Sequence, residues 1–206
     1  IVKLLDTIDI SVANNIEHVS VIVDATPPKI MILKPRNNTY INKTWILIEW
    51  HGIDAGCGLD HYEVKIDNEE WKDIGLLPIH LFKDLSEGMH VIYIRAYDKL
   101  QHVREVKIYI TIDLTLPVIK ITQPVNNSSF TPGIIYLRWN AEDNFGLKEF
   151  LIYANGKLIA TVSSSRTRYP ITLSDGEYTI KIIAVDLAGN MAKSKVFIRV
   201  NGENLI

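Results

Sequence analysis

"LSDGEYTIKIIAVDLAGN", residues 173–190, restates "LSEGMHVIYIRAYDKLQH", residues 85–102, at an offset of 88 positions. In the earlier stretch His90, Ile92, Ile94, Ala96 and Asp98 alternate with Val91, Tyr93, Arg95 and Tyr97. Successive side chains of a strand point to opposite faces, so the first set shares one face and the second set the other. The later stretch repeats the pattern with Tyr178, Ile180, Ile182, Ala184 and Asp186 facing inward and Lys181, Ile183 and Val185 outward.

The repetition extends outward from this phrase. Pro28 and Pro117, Pro35 and Pro124, Asn37 and Asn126, Trp50 and Trp139, and Asp54 and Asp143 each stand 89 positions apart. From Leu59 and Leu147 onward the offset is 88, so the two copies differ by one residue in a single loop. A period of this length exceeds the roughly 20–50 residues of solenoid repeats and suits an independently folding sandwich of about 100 residues. Asp24 and Asp113 also match, and "VSVIVDATPP" reads like "KIYITIDLTLP". Residues 1–23 therefore read as the last hairpin of a preceding repeat or as an N-terminal extension. Residues 24–112 form the first repeat, 113–201 the second, and 202–206 a tail.

The fold class predicted is all-β: two tandem sandwiches of about seven antiparallel strands each. In the first repeat the strands fall near 28–34, 44–51, 59–66, 69–74, 79–85, 89–97 and 105–112. Asn155-Gly156 lies between two strand-like runs, where a type I′ turn needs two residues of positive φ. Trp50 and Trp139 close the second strand of each copy, where a large ring fills the space between sheets. Tyr178 fits a tyrosine corner, its hydroxyl bonding back to the preceding turn, and His90 takes its place in the first copy.

The string D-x-T-x-P-x-I, a strand ending in Trp, then Asp and Gly-Leu, then L-x-x-G-x-[HY]-x-I-x-I-x-A-x-D resembles the bacterial and archaeal Ig-like repeats of exported cell-surface proteins, close in form to fibronectin type III domains. The resemblance covers residues 24–201, and "AVDLAGN" is its most typical piece. "AYDKLQH" in the first copy lacks the Gly-Asn, which predicts a different turn there. Such domains act as spacers, stalks, adhesion modules or appendages of secreted enzymes, and a shared fold does not choose among these. The resemblance implies an extracellular or cell-surface, prokaryotic setting. The partners it implies are neighbouring domains of one longer chain, and a cell-surface protein or glycan for an adhesive module.

Bulk properties narrow the classes. The 206 residues are 47% hydrophobic and 22% charged, with net charge −2, which gives no electrostatic basis for binding nucleic acid. No apolar run reaches the ~18 residues of a membrane span. The chain begins at Ile1 without a signal peptide, as expected of a processed chain or a fragment. One cysteine, Cys57, precludes an internal disulfide.

All six histidines lie outside the second repeat, which excludes a catalytic site shared by both copies. There is no C-x-x-C, H-E-x-x-H, Walker loop, nucleophile elbow or dinucleotide fingerprint. No catalytic residue is assigned, and the chain is expected not to be an enzyme. His51, Asp54, Cys57 and His102 fall in loops at one end of the first sandwich, a constellation for zinc or a Cys-His pair, or ordinary loop residues.

Three further sets stand out. Asp113, Asp143 and Asp186, with Asn190 and the nearby Glu142 and Asn144, converge on one end of the second repeat, and Asp24, Asp54 and Asp98 recur in the first. Oxygen ligands from several loops suit calcium; the alternative is that Asp and Asn simply cap turns. Asn37, Asn42, Asn126 and Asn127 head N-x-[ST] sequons in the first interstrand connection of each copy, as N-glycosylation candidates or as turn residues. Tyr93, Arg95, Tyr97 and Tyr109, with Glu63, Lys65 and Lys107, share an outward sheet face, either a binding surface or a solvated face stabilised by cross-strand pairs.

The connections "DATPP" and "DLTLP" are short and end in proline, which restricts φ and the residue before it. The expected function is a non-catalytic spacer in an extracellular or cell-envelope protein, a semi-rigid rod of stacked domains. The alternatives are an adhesion or carbohydrate- or protein-binding accessory module, and a surface filament or lattice subunit that assembles through its N-terminal strands.

Overall fold

A computed structural model describes residues 7–12 and 15–20 in their backbone, and residues 23–202 in full. Its regular elements are all strands. The chain divides at Ile112/Asp113 into two compact units, with Tyr40–Asn42 grouped with the second. The N-terminal segment holds a hairpin, β1 (Thr7–Val12) paired antiparallel with β2 (Asn15–Ser20), which forms a two-stranded sheet of its own.

The first repeat runs through β3 (Lys29–Lys34), β4 (Thr39–Ile41), β5 (Ile46–Ile53), β6 (Leu59–Ile66), β7 (Lys72–Asp73), β8 (Ile79–Phe82), β9 (Gly88–Asp98) and β10 (Val103–Ile112). One sheet has the order β3-β5-β8 and the other β4-β10-β9-β6-β7. The second repeat runs through β11 (Val118–Gln123), β12 (Ser128–Phe130), β13 (Gly133–Glu142), β14 (Leu147–Ala154), β15 (Lys157–Ser163), β16 (Arg168–Leu173), β17 (Gly176–Asp186) and β18 (Met191–Val200). Its sheets are ordered β11-β13-β16 and β12-β18-β17-β14-β15, the same plan.

Alternation builds both cores. On β9 the inward residues Ile92, Ile94 and Ala96 are buried, as are Ile180, Ile182 and Ala184 on β17. Trp50 packs edge-on against Tyr62, ring centroids 5.5 Å apart, and Trp139 against Phe150 at 5.2 Å. These pairs occupy matched positions, so each sandwich is filled by the same aromatic contact between its sheets.

Four details depart from the sequence reading. Each copy has an eighth strand, β4 or β12, and β12 pairs parallel with β18. Three residues are too short to display an alternation. The edge strand expected at 69–74 shrinks to Lys72–Asp73, which pairs only with Glu63 and Val64. Val185, expected on the outside, is 3% exposed. On the sheet it is flanked in register by Glu149 on β14 and Met191 on β18. The turn after β9 does not differ from its copy either. Gln101 adopts φ 67° where Gly189 has φ 93°, and Asp98 N–H donates to the His102 carbonyl as Asp186 N–H does to that of Asn190.

Candidate metal centre

Strand β17 ends on Asp186, the last inward position of its alternation, so the carboxylate caps the core at the loop end of the second unit. Asp113 follows β18's counterpart β10 and enters the unit, and Asp143 opens the loop between β13 and β14. One carboxylate oxygen from each of these three aspartates lies within 4.8 Å of the others. Asp113 and Asp186 are 0% exposed and Asp143 is half-buried. Three ionised carboxylates at that spacing repel by roughly 3 kcal/mol per pair at an effective dielectric near 20, so positive charge or directed N–H groups must stand among them.

Backbone N–H groups supply part of that. Asp186 Oδ1 accepts from Gly189 and Asn190 at 2.7 and 2.8 Å. Asp143 Oδ2 accepts from Phe145 and Gly146 at 3.0 and 2.8 Å. Asp113 Oδ1 accepts from Thr115 at 3.2 Å. Asn190 lies beside the cluster, but its amide Nδ2 donates to the carbonyls of Asp113 (3.0 Å) and Thr115 (3.2 Å) and so pins the connecting segment. Glu142 and Asn144 stand exposed, outside the cluster.

The first unit gathers its aspartates differently. Asp24 groups with Asp54 and Cys57, and separately with Asp98 and His102. Asp24 Oδ1 accepts from Thr26 N–H and hydroxyl at 3.0 and 2.8 Å, and Oδ2 from Cys57 N–H at 2.9 Å. Those bonds, the Cys57 N–H foremost, hold its carboxyl well below the usual carboxylate range. Gly56 permits this approach, because a Cβ there would collide with the Asp24 carboxylate. Asp54 Oδ2 takes the N–H groups of Gly56 and Gly58. Asp98 is fully buried; Oδ1 accepts from Leu100 and His102 N–H, and Oδ2 from His102 Nδ1 at 2.8 Å. Burial alone would raise the Asp98 pKa, but the His102 N–H, its imidazole and the Leu100 N–H outweigh it and bring it below the ordinary value.

Of the constellation weighed for zinc or a Cys-His pair, His51 joins no ligand group among the described residues. Burial first, and the hydrogen bond to Asp24 second, push the Cys57 thiol up, away from the thiolate that metal binding and nucleophilic attack require.

The outward face of β6, β9 and β10 is an interlocked layer. Arg95 lies 3.8 Å over the ring of Trp71, Nε bonded to Glu105 at 2.8 Å. Lys65 sits between Trp71 and Tyr93, and Lys107 between Tyr93 and Tyr109. Tyr97 stacks on His61 at 4.4 Å and donates its hydroxyl to Glu63 at 3.0 Å. Trp71, Glu105 and His61 are members that sequence reasoning missed; for Trp71 the one signal was a tryptophan within the acidic edge "NEEWKD". The sequon residues Asn37, Asn42, Asn126 and Asn127 are all exposed. Asn37 Oδ1 accepts the Tyr109 N–H, and Asn126 Oδ1 the Phe197 N–H, each at 2.8 Å.

A bacterial Ig domain family model matches residues 117–182. No curated protein sequence matches the chain. Among solved structures, the fibronectin(III)-like modules of Clostridium thermocellum CbhA superimpose with TM-score 0.63 at 15% identity, covering 84% of this chain and 94% of that one. Murine CEACAM1b superimposes with TM-score 0.50 at 12% identity, covering 84% of this chain and all of that one. Residues 117–182 are thus similar to a bacterial Ig domain, and the chain as a whole is built on the Ig-like, fibronectin III-like fold.

Proposed function

We propose that this chain is a non-catalytic spacer segment of an extracellular or cell-envelope protein, whose Ig-like units extend and separate what lies on either side. The observation that carries this reading is the connecting segment 113–117. Asp113 and Pro117 are buried, Thr115 N–H is tied to Asp113 Oδ1, and Asn190 donates to the carbonyls of Asp113 and Thr115. Residues 113–117, held at these points, belong to the second unit itself, so the first unit's last strand is followed directly by the second unit without a long flexible tether of its own. The residues shared by the two copies lie in cores, corners and turns, which fits a unit repeated for its shape.

Small-angle scattering on the 206-residue chain tests this. The expected profile is that of an elongated monomer, its maximum dimension unchanged over a range of ionic strength. A profile that requires a broad ensemble of interdomain distances, or a globular particle, counts against a spacer.

A second reading, a binding accessory module, is favoured by the layer of Trp71, Tyr93 and Arg95, which the second unit does not repeat. Affinity electrophoresis in soluble polysaccharides would show retardation abolished by Trp71→Ala or Tyr93→Ala. Migration identical to that of the variants removes this reading.

A further inference from the structure

The two repeats carry the same three aspartates with different companions, and the difference concentrates at one matched position, His102 in the first unit and Asn190 in the second. In the first unit His102 Nδ1 donates to Asp98 Oδ2 at 2.8 Å. The loop after Asp54 is also one residue longer, and it delivers the Cys57 N–H to Asp24 Oδ2. That triad is closed by groups of its own chain.

In the second unit Asn190 turns its amide away, onto the carbonyls of Asp113 and Thr115. Asp186 is fully buried, and its Oδ2, the counterpart of the oxygen that His102 satisfies, has no hydrogen-bond partner among the described residues. Asp143 Oδ1 is likewise buried without one. A buried carboxylate oxygen is among the most costly atoms to leave without a partner. Here two of them belong to a cluster in which three carboxylates come within 4.8 Å of one another.

We infer that Asp113, Asp143 and Asp186 bind a hard divalent cation, calcium, and that the matched triad of the first unit does not. The donor set is all oxygen, without the imidazole or thiolate that zinc and copper prefer. Calcium takes six to eight oxygens at about 2.3–2.6 Å and tolerates irregular geometry, and a spread of oxygens within 4.8 Å is the reach across one such ion. Magnesium requires a tighter octahedron and keeps most of its water. In the first unit the His102 N–H occupies the place of the cation. This site does not depend on the spacer reading.

The test is titration calorimetry and thermal melting of the chelator-treated 206-residue chain with calcium chloride, with magnesium chloride in parallel. One calcium per chain is expected, with a Kd between about 10⁻⁶ and 10⁻³ M and weaker magnesium binding. At calcium near 100 times Kd, the second unit should melt roughly 10 °C higher. Asp186→Asn keeps an acceptor for Gly189 and Asn190 and removes the charge, so calcium binding should be lost. Asn190→His imports the first unit's histidine–aspartate bond in exchange for the two Asn190 side-chain bonds; it should abolish calcium binding while the second unit still melts cooperatively, so that loss of binding is distinguished from loss of folding. Asp98→Asn should leave calcium binding intact. Absence of both heat and thermal shift at ~10 mM calcium overturns the assignment. So does calcium binding that survives Asp186→Asn and Asn190→His, or that is lost in Asp98→Asn.

Discussion

His90 and Tyr178 hold matched positions and make the same corner. His90 Nε2 lies 2.9 Å from the Ser86 carbonyl, and the Tyr178 hydroxyl donates to the Ser174 carbonyl at 3.2 Å. The imidazole differs in having a second nitrogen, Nδ1, which lies 2.7 Å from Asp67 Oδ2. Burial lowers the His90 pKa, but the Ser86 carbonyl and the Asp67 carboxylate favour the protonated ring by more, and the net shift is upward. A group whose folded value is raised contributes stability that is complete below the unfolded value of about 6.5 and fades as pH rises through the folded value. The first unit should therefore melt lower at about pH 8.5 than at about pH 6, and His90→Tyr should flatten that slope in calorimetric scans. A slope unchanged by the substitution would assign it to another group. Gln101 offers a second case. Its φ of 67° is a left-handed conformation that its copy meets with Gly189. Gln101→Gly relieves a strain of roughly 1 kcal/mol and should raise the melting temperature of the first unit by a few degrees, provided its exposed contact with Asp60 contributes little.

At the scale of strands, Ile94 on β9 and Ile182 on β17 are matched and both fully buried. Truncation of either to Ala leaves a cavity and should cost about 2–5 kcal/mol, each in its own unit, as read from denaturant midpoints. Strands of this kind were legible in the sequence because eleven residues of alternation, as in β9, state both the element and its inward face. The hairpin between β14 and β15 was legible for another reason: Asn155 and Gly156 take φ of 46° and 82°, the two positive values that the pair tolerates. The strands β4 and β12 were not legible, since each is three residues long and pairs with a strand far along the chain, β10 and β18 respectively, and nothing local encodes that. The positions of the aspartates could be read from the repeat. Which of their oxygens are satisfied could not, because that depends on one loop residue and on the direction in which His102 and Asn190 turn.

For the chain as a whole, the second unit contains its own complete core, with Trp139, Phe150, Leu137 and Ile152 among its fully buried members. A fragment spanning residues 113–206 should fold and melt cooperatively, and a dispersed amide spectrum would verify this; a fragment that stays unfolded would mean that the first unit is needed for the second to form. The parallel arrangement of β12 and β18 also bears on how such a unit carries load. Asn127 N–H donates to the Phe197 carbonyl at 2.7 Å, and Asn201 N–H to that of Phe130 at 3.0 Å. Tension applied between residue 113 and residue 201 pulls these two strands past each other, so their bonds are sheared together and not peeled one at a time. Asn126 adds a side-chain bond to the same seam, and Asn126→Ala should lower the force at which a single stretched molecule gives way. Stretching of the second unit along its length therefore meets these bonds together.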